Sequence, residues 1–135
     1  MRHHDRPNGC PSVSVIPVEF DKAKGVKQQE RVRLIDFNQP RENRYLVVTQ
    51  LWVKGEPGFR RPDALLYING LPPVFIELKN SNVKLKNAFD ANITTYEQEI
   101  PQLFLTNAFC VLSNAIETRV GSITAEWEHF FNWLL

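Results

Sequence analysis

The sequence predicts an α/β domain in which a central mixed β-sheet is flanked by helices. Short segments with the two-residue alternation of strands fill the middle of the chain, and another apolar segment covers Ala108 to Ser113. Between them, from Val83 to Gln98, one helical face is predicted from residues at helical spacing: Leu85, Ala88, Phe89, Asn92 and Tyr96. We therefore expect one domain over residues 13–135, preceded by a flexible arm over residues 1–12.

The domain is organised around a predicted β-hairpin. Its first strand, Ala64 to Ile68, ends at Asn69-Gly70, a strong turn signal, and its second strand runs from Val74 to Lys79. Because side chains alternate along a strand, Phe75, Glu77 and Lys79 share one face. The opposite face, which carries Val74, Ile76 and Leu78, is the expected core.

The length of the hairpin loop decides whether Asp63 joins Glu77 and Lys79. A two-residue loop would place Asp63 opposite Ile76, on the wrong face, whereas three- and five-residue loops place it opposite Glu77 or Lys79. Pro72 and Pro73 lack N–H groups and fit a loop better than a ladder. The longer loops are therefore favoured.

Two carboxylates and an ammonium on one face indicate a specific chemistry. Asp63 and Glu77 would repel one another unless a divalent cation lay between them, and Mg²⁺ prefers such oxygen ligands. Lys79 could position an attacking water and neutralise charge on a phosphate. The alternative is an ordinary exposed cross-strand ion pair, worth ~0–1 kcal/mol.

The remaining segments are assigned from periodicity and turn residues. Tyr45 to Val53 is rich in β-branched and aromatic residues and is predicted to be one strand. Trp127, Phe130, Phe131 and Leu134 lie at helical spacing, so Ala125 to Leu135 is predicted to be a helix. Because that apolar stripe would have no partner, we expect a fragment of a longer polypeptide or an early-broken reading frame. The other predictions are a strand or extended edge at Val13–Phe20, a charged loop or short turn at Asp21–Gln29, a strand at Arg31–Phe37, a loop at Gly55–Phe59 and an edge strand at Thr118–Ile123.

Composition limits the class of protein. The chain has 135 residues, 43 % of them hydrophobic, and a net charge of +1. No apolar run approaches the ~20 residues of a membrane span and no signal peptide is visible, so no membrane association is expected. The two cysteines have no partners at metal-ligand spacing, and a reduced cytoplasmic setting fits best. Cys110 lies in an apolar run and is predicted to be a buried small hydrophobe. The chain contains no Gly-x-x-x-x-Gly-Lys phosphate loop, so no ATP site is expected in it.

Several motifs together resemble a known family. They are Arg60-Arg61-Pro62-Asp63, Asn69-Gly70-Leu71-Pro72, Ile76-Glu77-Leu78-Lys79-Asn80 and Ile100-Pro101-Gln102-Leu103-Phe104, after Leu34-Ile35-Asp36-Phe37 and Val47-Val48-Thr49-Gln50. The string resembles the N-terminal nuclease region of type I restriction enzyme R subunits, within the PD-(D/E)xK superfamily. The resemblance runs from about Val32 to the C-terminus, and it implies a sheet like the restriction-endonuclease core.

The resemblance also implies roles for individual residues. Asp63 and Glu77 would hold Mg²⁺, with the backbone carbonyl of Leu78 as a further ligand, and Lys79 would complete the catalytic set. Family members carry Gln-x-x-x-Tyr for DNA engagement; here Asn92 replaces the Gln, one methylene shorter, and Tyr96 matches. The surrounding cations expected to contact DNA phosphates are Lys84, Lys86 and Arg61.

Two further points stay open in the sequence. Asp36 is either a strand-end residue that bonds a turn or an accessory acid near the metal. Many such nucleases carry a helical Glu before the first core strand, and residues 1 to 30 show no such helix.

The predicted function is a Mg²⁺-dependent DNA endonuclease module. DNA is the expected substrate, and the resemblance implies specificity and modification subunits and a helicase-like motor region as partners. The alternatives are a degenerate remnant that binds DNA or subunits without catalysis, and a stand-alone nuclease of the same superfamily.

Overall fold

The structure, a computed structural model, describes residues 15–22 and 26–133. They divide into two compact units, with the boundary between Asn43 and Arg44. The predicted arm over residues 1–12 lies outside the described residues, and a single domain over 13–135 stays a prediction.

The first unit contains an antiparallel hairpin of two strands, β1 (Val15–Lys22) and β2 (Val26–Arg33). The prediction of a charged loop or short turn over Asp21–Gln29 is wrong for the described residues of that segment, because they pair as strands, from Lys22↔Val26 outward. The strand predicted to reach Phe37 ends at Arg33 instead.

The second unit is built on a six-stranded sheet and a two-stranded ribbon. Its strands are β3 (Tyr45–Thr49), β4 (Val53–Gly55), β5 (Gly58–Arg60), β6 (Ala64–Ile68), β7 (Leu71–Leu78), β8 (Phe109–Ser113), β9 (Thr118–Gly121) and β10 (Phe131–Asn132). The order in the sheet is β10-β9-β8-β7-β6-β3, and β4 pairs with β5 in the separate ribbon. Strands β7 and β8 are parallel, and all other neighbours are antiparallel. The predicted α/β class with a central mixed sheet is confirmed.

One continuous helical segment packs against the sheet. It consists of α1 (Leu85–Ala88), a π-helical turn (Phe89–Ile93) and α2 (Thr94–Glu99), and a 3₁₀ turn (Pro101–Leu103) follows it. The core that it forms with the sheet contains Leu65, Phe75, Leu85, Ala88, Ile93, Ile100, Leu103, Phe104, Cys110, Leu112 and Phe130. Within the described residues, no helix is long and apolar enough to cross a membrane.

The helix covers the face of β7 opposite to the one expected from the sequence. Phe75 is 0 % exposed and Glu77 3 % exposed, whereas Leu78 on the other face is 54 % exposed. The predicted core face of Val74, Ile76 and Leu78 is therefore wrong, although Val74 itself is buried. Apolar residues occupy both faces of this strand, so alternation alone could not show which face the helix would cover.

The β6–β7 hairpin combines a two-residue turn with a bulge. Ile68 pairs with Leu71 across Asn69-Gly70, so the favoured three- or five-residue loop is wrong. The register then shifts between Leu66 and Ile68, and Leu66 pairs with Val74. Pro72 and Pro73 lie within β7 at this irregularity, before the parallel ladder with β8 starts at Val74↔Phe109. Their missing N–H groups are therefore tolerated in a strand.

The segment predicted as one strand from Tyr45 to Val53 is divided in two at Gln50. The backbone of Gln50 is left-handed, with φ 54°, which ends β3 before β4 begins. The predicted loop over Gly55–Phe59 is also wrong: β4 and β5 form an antiparallel ribbon through this segment.

The C-terminal segment is not the predicted helix over Ala125–Leu135. It forms a 3₁₀ turn at Trp127–His129 and the short strand β10. The edge strand predicted at Thr118–Ile123 is β9, which lies between β8 and β10, so β10 forms the edge of the sheet instead. The ring of Phe130 lies over Gly121, where an added Cβ would come 2.5 Å from the ring. This close packing accounts for the extended backbone that follows the turn. Residues 134–135 lie outside the described residues.

Cys110 is fully buried in β8, which confirms the prediction of a buried small hydrophobe. Burial raises the pKa of its thiol to about 12, so the thiol stays protonated at neutral pH.

Candidate active site

The hairpin brings three predicted site residues to one place. The pairs Ala64↔Ile76 and Leu65↔Phe75 continue outward to set Asp63 opposite Glu77, so both residues lie on the face that the helix covers. Lys79 follows two residues later on the same face, and its Nζ donates to Glu77 Oε1 at 2.8 Å. The bulge therefore gives the alignment that the sequence analysis had assigned to a longer loop.

Glu77 is the most deeply buried charged group at this site. Its Oε1 accepts hydrogen bonds from Lys79 Nζ and from Asn92 Nδ2 on the helix, each at 2.8 Å. Its Oε2 is buried and, within the described part of the chain, has no hydrogen-bond partner. Burial raises the pKa of Glu77 despite the opposing effect of Lys79, and the charge of Asp63 raises this pKa further. The carboxylate is thus held in place with one oxygen directed at no protein donor.

Asp63 is held by two donors from different segments. Its Oδ1 accepts from Gln50 Nε2 at 2.8 Å, and its Oδ2 accepts from the backbone N–H of Leu78 at 2.8 Å. Each carboxylate oxygen retains lone-pair capacity beyond these single bonds. Across the described residues, no cluster of three or more His, Cys, Asp or Glu side chains suited to a metal is found.

Gln50 is a residue that the sequence analysis missed. Its backbone N–H donates to the carbonyl oxygen of Asp63 at 3.0 Å, in addition to the side-chain bond, so it contacts Asp63 twice. A left-handed conformation costs an L-residue with a Cβ of the order of 1 kcal/mol. The strand prediction over Tyr45–Val53 concealed this role. Two signals were present: Gln50 is a polar residue in the middle of an apolar segment, and it ends the Val47-Val48-Thr49-Gln50 motif of the resemblance.

The helix contributes Asn92 and Tyr96 to the same face. Asn92 reaches Glu77 despite having one methylene fewer than Gln, and it lies in the π-helical turn. The ring of Tyr96 packs edge-on against Phe75, with 5.7 Å between centroids. Burial, followed by the charge of Glu77, raises the pKa of Tyr96, so its hydroxyl remains a hydrogen-bond donor at neutral pH.

The predicted DNA-contacting cations have different surroundings. Lys86 forms an exposed ion pair with Asp90 at 3.0 Å, and Lys84 precedes the helix as an exposed residue. The guanidinium of Arg61 lies over the ring of Trp52, 5.2 Å from its centroid. Their DNA contacts stay predictions.

Asp36 lies in the other compact unit, where it bonds a turn. Its Oδ1 accepts from the N–H groups of Asn38 and Gln39, at 2.9 and 3.0 Å, and its side chain pairs with Arg33. The bond from Gln39 is the main reason that the pKa of Asp36 is lowered. These contacts are those of a turn-bonding residue, and an accessory role at the metal stays a prediction.

Comparison with known proteins identifies the family. The family model of the type I restriction enzyme R protein N terminus matches residues 14–129. The chain belongs to this family. The putative type I restriction enzyme MjaIXP endonuclease subunit of Methanocaldococcus jannaschii is 39% identical over 126 residues, covering 90% of this chain and 12% of that protein. The type I restriction enzyme HindI endonuclease subunit of Haemophilus influenzae is 37% identical over 122 residues, covering 87% and 11%.

The chain spans about one eighth of the length of the curated relatives that it matches. The matched residues 14–129 include every predicted site residue. The resemblance to the R subunit's N-terminal region is thereby confirmed, whereas the roles of the individual site residues stay predictions.

Glu77→Gln is expected to stabilise the folded chain at alkaline pH. The pKa of Glu77 is higher in the folded than in the unfolded chain, so folding favours the protonated carboxyl. The stability that this preference contributes is complete below the unfolded-state pKa and is lost as pH rises through the folded-state pKa. Gln cannot ionise, so the variant should melt at a higher temperature than the wild type at pH 8 and differ little at pH 4. Thermal melts without metal, with exposed Glu19→Gln as control, measure this. An equal gain at both pH values would contradict the explanation.

Proposed function

We propose that this chain is a Mg²⁺-dependent DNA endonuclease module with a PD-(D/E)xK site, resembling the N-terminal part of a type I restriction enzyme R subunit. The observation that carries the proposal is the state of Glu77. A buried carboxylate with one unpartnered oxygen, facing Asp63 and paired with Lys79, costs stability unless the site binds something.

The donor set fits Mg²⁺. This ion usually takes one or two protein carboxylates, with waters and substrate phosphates completing its coordination. Glu77 Oε2 has no competing protein donor among the described residues, and Asp63 is oriented by Gln50 and the Leu78 N–H. Asp63 and Glu77 would hold the ion, with the carbonyl of Leu78 as a further ligand.

The protein's own groups account for the rest of the chemistry. When bound, Mg²⁺ would supply positive charge to a phosphate and acidify water. Lys79 brings a second positive charge to the same place, where it would orient the attacking water and stabilise the charge that develops on the phosphate. Asn92 fixes the Glu77 carboxylate and, with Tyr96, would border the DNA strand. Because water is the nucleophile, no covalent enzyme intermediate is required.

The family supports a proposal about partners. The relatives are named as endonuclease subunits of type I restriction enzymes. We infer that DNA is the substrate and that specificity and modification subunits and a helicase-like motor region deliver it. These 135 residues contain no phosphate-binding loop, so ATP should have no effect on them alone.

A nicking assay on supercoiled plasmid tests this function. We expect slow, sequence-independent nicking that requires Mg²⁺, disappears with EDTA and is unchanged by ATP. Glu77→Gln, purified identically, controls for contaminating nuclease. If the folded wild type nicks no faster than Glu77→Gln, the non-catalytic remnant is favoured. Cutting at one defined sequence would instead favour a stand-alone nuclease.

Gln50→Ala is expected to weaken binding of Mg²⁺ or Mn²⁺ by about 10- to 100-fold, the usual effect of losing a group that orients a metal ligand. The reason is that Asp63 would lose the Gln50 Nε2 donor. Titration calorimetry with Mn²⁺ measures the affinity directly. Asn69→Ala, at a second left-handed position with φ 52°, controls for backbone strain. Unchanged affinity in Gln50→Ala would remove Gln50 from the site.

A further inference from the structure

The ribbon formed by β4 and β5 has two unlike faces. Lys54 pairs with Phe59, and the same register continued by one residue sets Trp52 opposite Arg61. Because side chains alternate, these four residues share one face, here called the outward ribbon face. All four are exposed, with Trp52 62 % and Phe59 55 % exposed.

The other face of the ribbon is fixed to the helical segment. Arg60 forms a bidentate ion pair with Glu99, and Gln102 Nε2 donates to the carbonyl oxygen of Lys54 at 2.9 Å. At Gly55 the ribbon comes so close that an added Cβ would clash with the Glu99 carbonyl oxygen. The ribbon is therefore a supported platform, and its outward side chains are held at a defined position.

Aromatic rings and cations alternate on the outward ribbon face. The Arg61 guanidinium lies over the Trp52 ring, and Trp52 and Phe59 meet edge to face, with 6.3 Å between centroids. Over the described part of the chain, no carboxylate forms an ion pair with Lys54 or Arg61, unlike Arg60 on the inner face. Two rings and two unneutralised cations are therefore available to a ligand.

The platform leads directly into the candidate active site. Trp52 follows Gln50 by two residues, and Arg61 precedes Asp63 by two residues. Two residues span at most about 7 Å. Because Gln50 and Asp63 are hydrogen-bonded to each other, both strands of the platform lead to this pair.

We propose that the outward ribbon face binds an unpaired nucleic-acid strand beside the scissile phosphate, with bases stacked on Trp52 and Phe59 and phosphates contacting Lys54 and Arg61. This inference rests on the proposed function in that the strand would be the DNA substrate. Proteins that bind single strands combine basic grooves with aromatic stacking in this way. Trp, Phe and Arg are also common at protein interfaces. The nucleic-acid strand is favoured because both cations lack a carboxylate partner among the described residues and the face adjoins the candidate phosphodiester-cleaving site. Paired bases inside a duplex do not offer their ring faces.

The experiment measures binding of a fluorescein-labelled oligo(dT) of about 12 nucleotides, within the usual site size, by anisotropy in EDTA. Trp52→Ala and Phe59→Ala should each weaken binding about tenfold, and Trp52→Phe should retain most of it. Trp133→Ala is the matched control, since Trp133 is 55 % exposed and follows β10 at the far edge of the sheet. Wild-type affinity in Trp52→Ala and Phe59→Ala, or an equal loss in Trp133→Ala, would overturn the proposal.

Two further arms identify the source of the affinity. Arg61→Gln should lower the slope of log affinity against log salt by about 0.7, the value for one single-strand phosphate contact, whereas Lys27→Gln should not. A blunt duplex of the same length should bind more weakly than oligo(dT) and respond less to Trp52→Ala. Equal loss on the duplex would overturn the assignment to an unpaired strand. The binding assay is run in EDTA and therefore does not depend on Mg²⁺-dependent cleavage. If plasmid nicking fails while oligo(dT) binding shows the expected losses, only the endonuclease proposal is contradicted.

Discussion

Asp63→Asn is expected to lower Mg²⁺-dependent plasmid nicking by more than about a hundredfold. Loss of a group that merely orients a metal ligand costs about 10- to 100-fold, and loss of a charged ligand should cost more. The fold should survive, because the side-chain carbonyl of Asn can still accept the Leu78 N–H, and the Gln50 amide can rotate to accept from the Asn amide. Nicking rates and melting temperatures are to be measured on the same preparations.

The control for Asp63→Asn is Asp21→Asn, an exposed carboxylate on β1. It should nick at the wild-type rate. The Asp63→Asn variant should melt no lower than the wild type at neutral pH, since the charge of Asp63 opposes ionisation of Glu77. Nicking that persists in a folded Asp63→Asn protein would show that the site is elsewhere.

Lys79→Ala is expected to lower nicking about as much as Asp63→Asn does, and also to destabilise the domain. Lys79 Nζ lies 2.8 Å from Glu77 Oε1, and Glu77 is almost completely buried. Without this cation, the pKa of Glu77 rises further, so the carboxylate is less available to a metal at neutral pH. Removing one partner of a buried pair costs about 3–5 kcal/mol, but protonation of Glu77 and partial exposure of Lys79 should reduce the loss to about 1–2 kcal/mol.

Lys27→Ala provides a matched control for Lys79→Ala. Lys27 forms an ion pair with Glu19 at the same 2.8 Å distance, but both side chains are exposed. It should therefore lose neither activity nor measurable stability. The destabilisation in Lys79→Ala should be larger at pH 8 than at pH 5, because protonated Glu77 no longer needs a cation. Lys79→Arg keeps the charge and should restore stability more fully than activity. A pH-independent loss of stability would assign Lys79 a packing role instead.

The class of the fold, and which candidate site residues lie near one another, were predicted better than the details that align them. Alternation placed Glu77 and Lys79 on one face, and helical spacing placed Asn92 and Tyr96 on the side that meets them. The register shift had a local signal in Pro72-Pro73, but prolines that cannot donate to a ladder fit a longer loop as well as a bulge, and the sequence alone does not distinguish the two. The favoured longer loop was therefore wrong even though the resulting alignment of Asp63 with Glu77 is present.

Two other differences have the same kind of cause, namely contacts between distant segments. Gln50 interrupts the predicted strand because its backbone and side chain bond Asp63, thirteen residues away. The C-terminal aromatic residues have helical spacing, but Phe130 packs over Gly121 and Phe131 pairs with Val120. In both segments tertiary contacts override local preference.

Because of the bulge between Leu66 and Ile68, Asp63 and Glu77 lie on the same face of the sheet, and this depends on the number of residues between them. Side-chain direction in a hairpin depends on whether the number of intervening residues is odd or even. A deletion or insertion of a single residue between Asp63 and Glu77 would move one of the two carboxylates to the opposite face of the sheet. Every residue of the motif would still be present in the sequence. Changes of two residues would keep the faces matched. An inactive family member could therefore carry every residue of the motif, so counting residues across the hairpin is as informative as finding them.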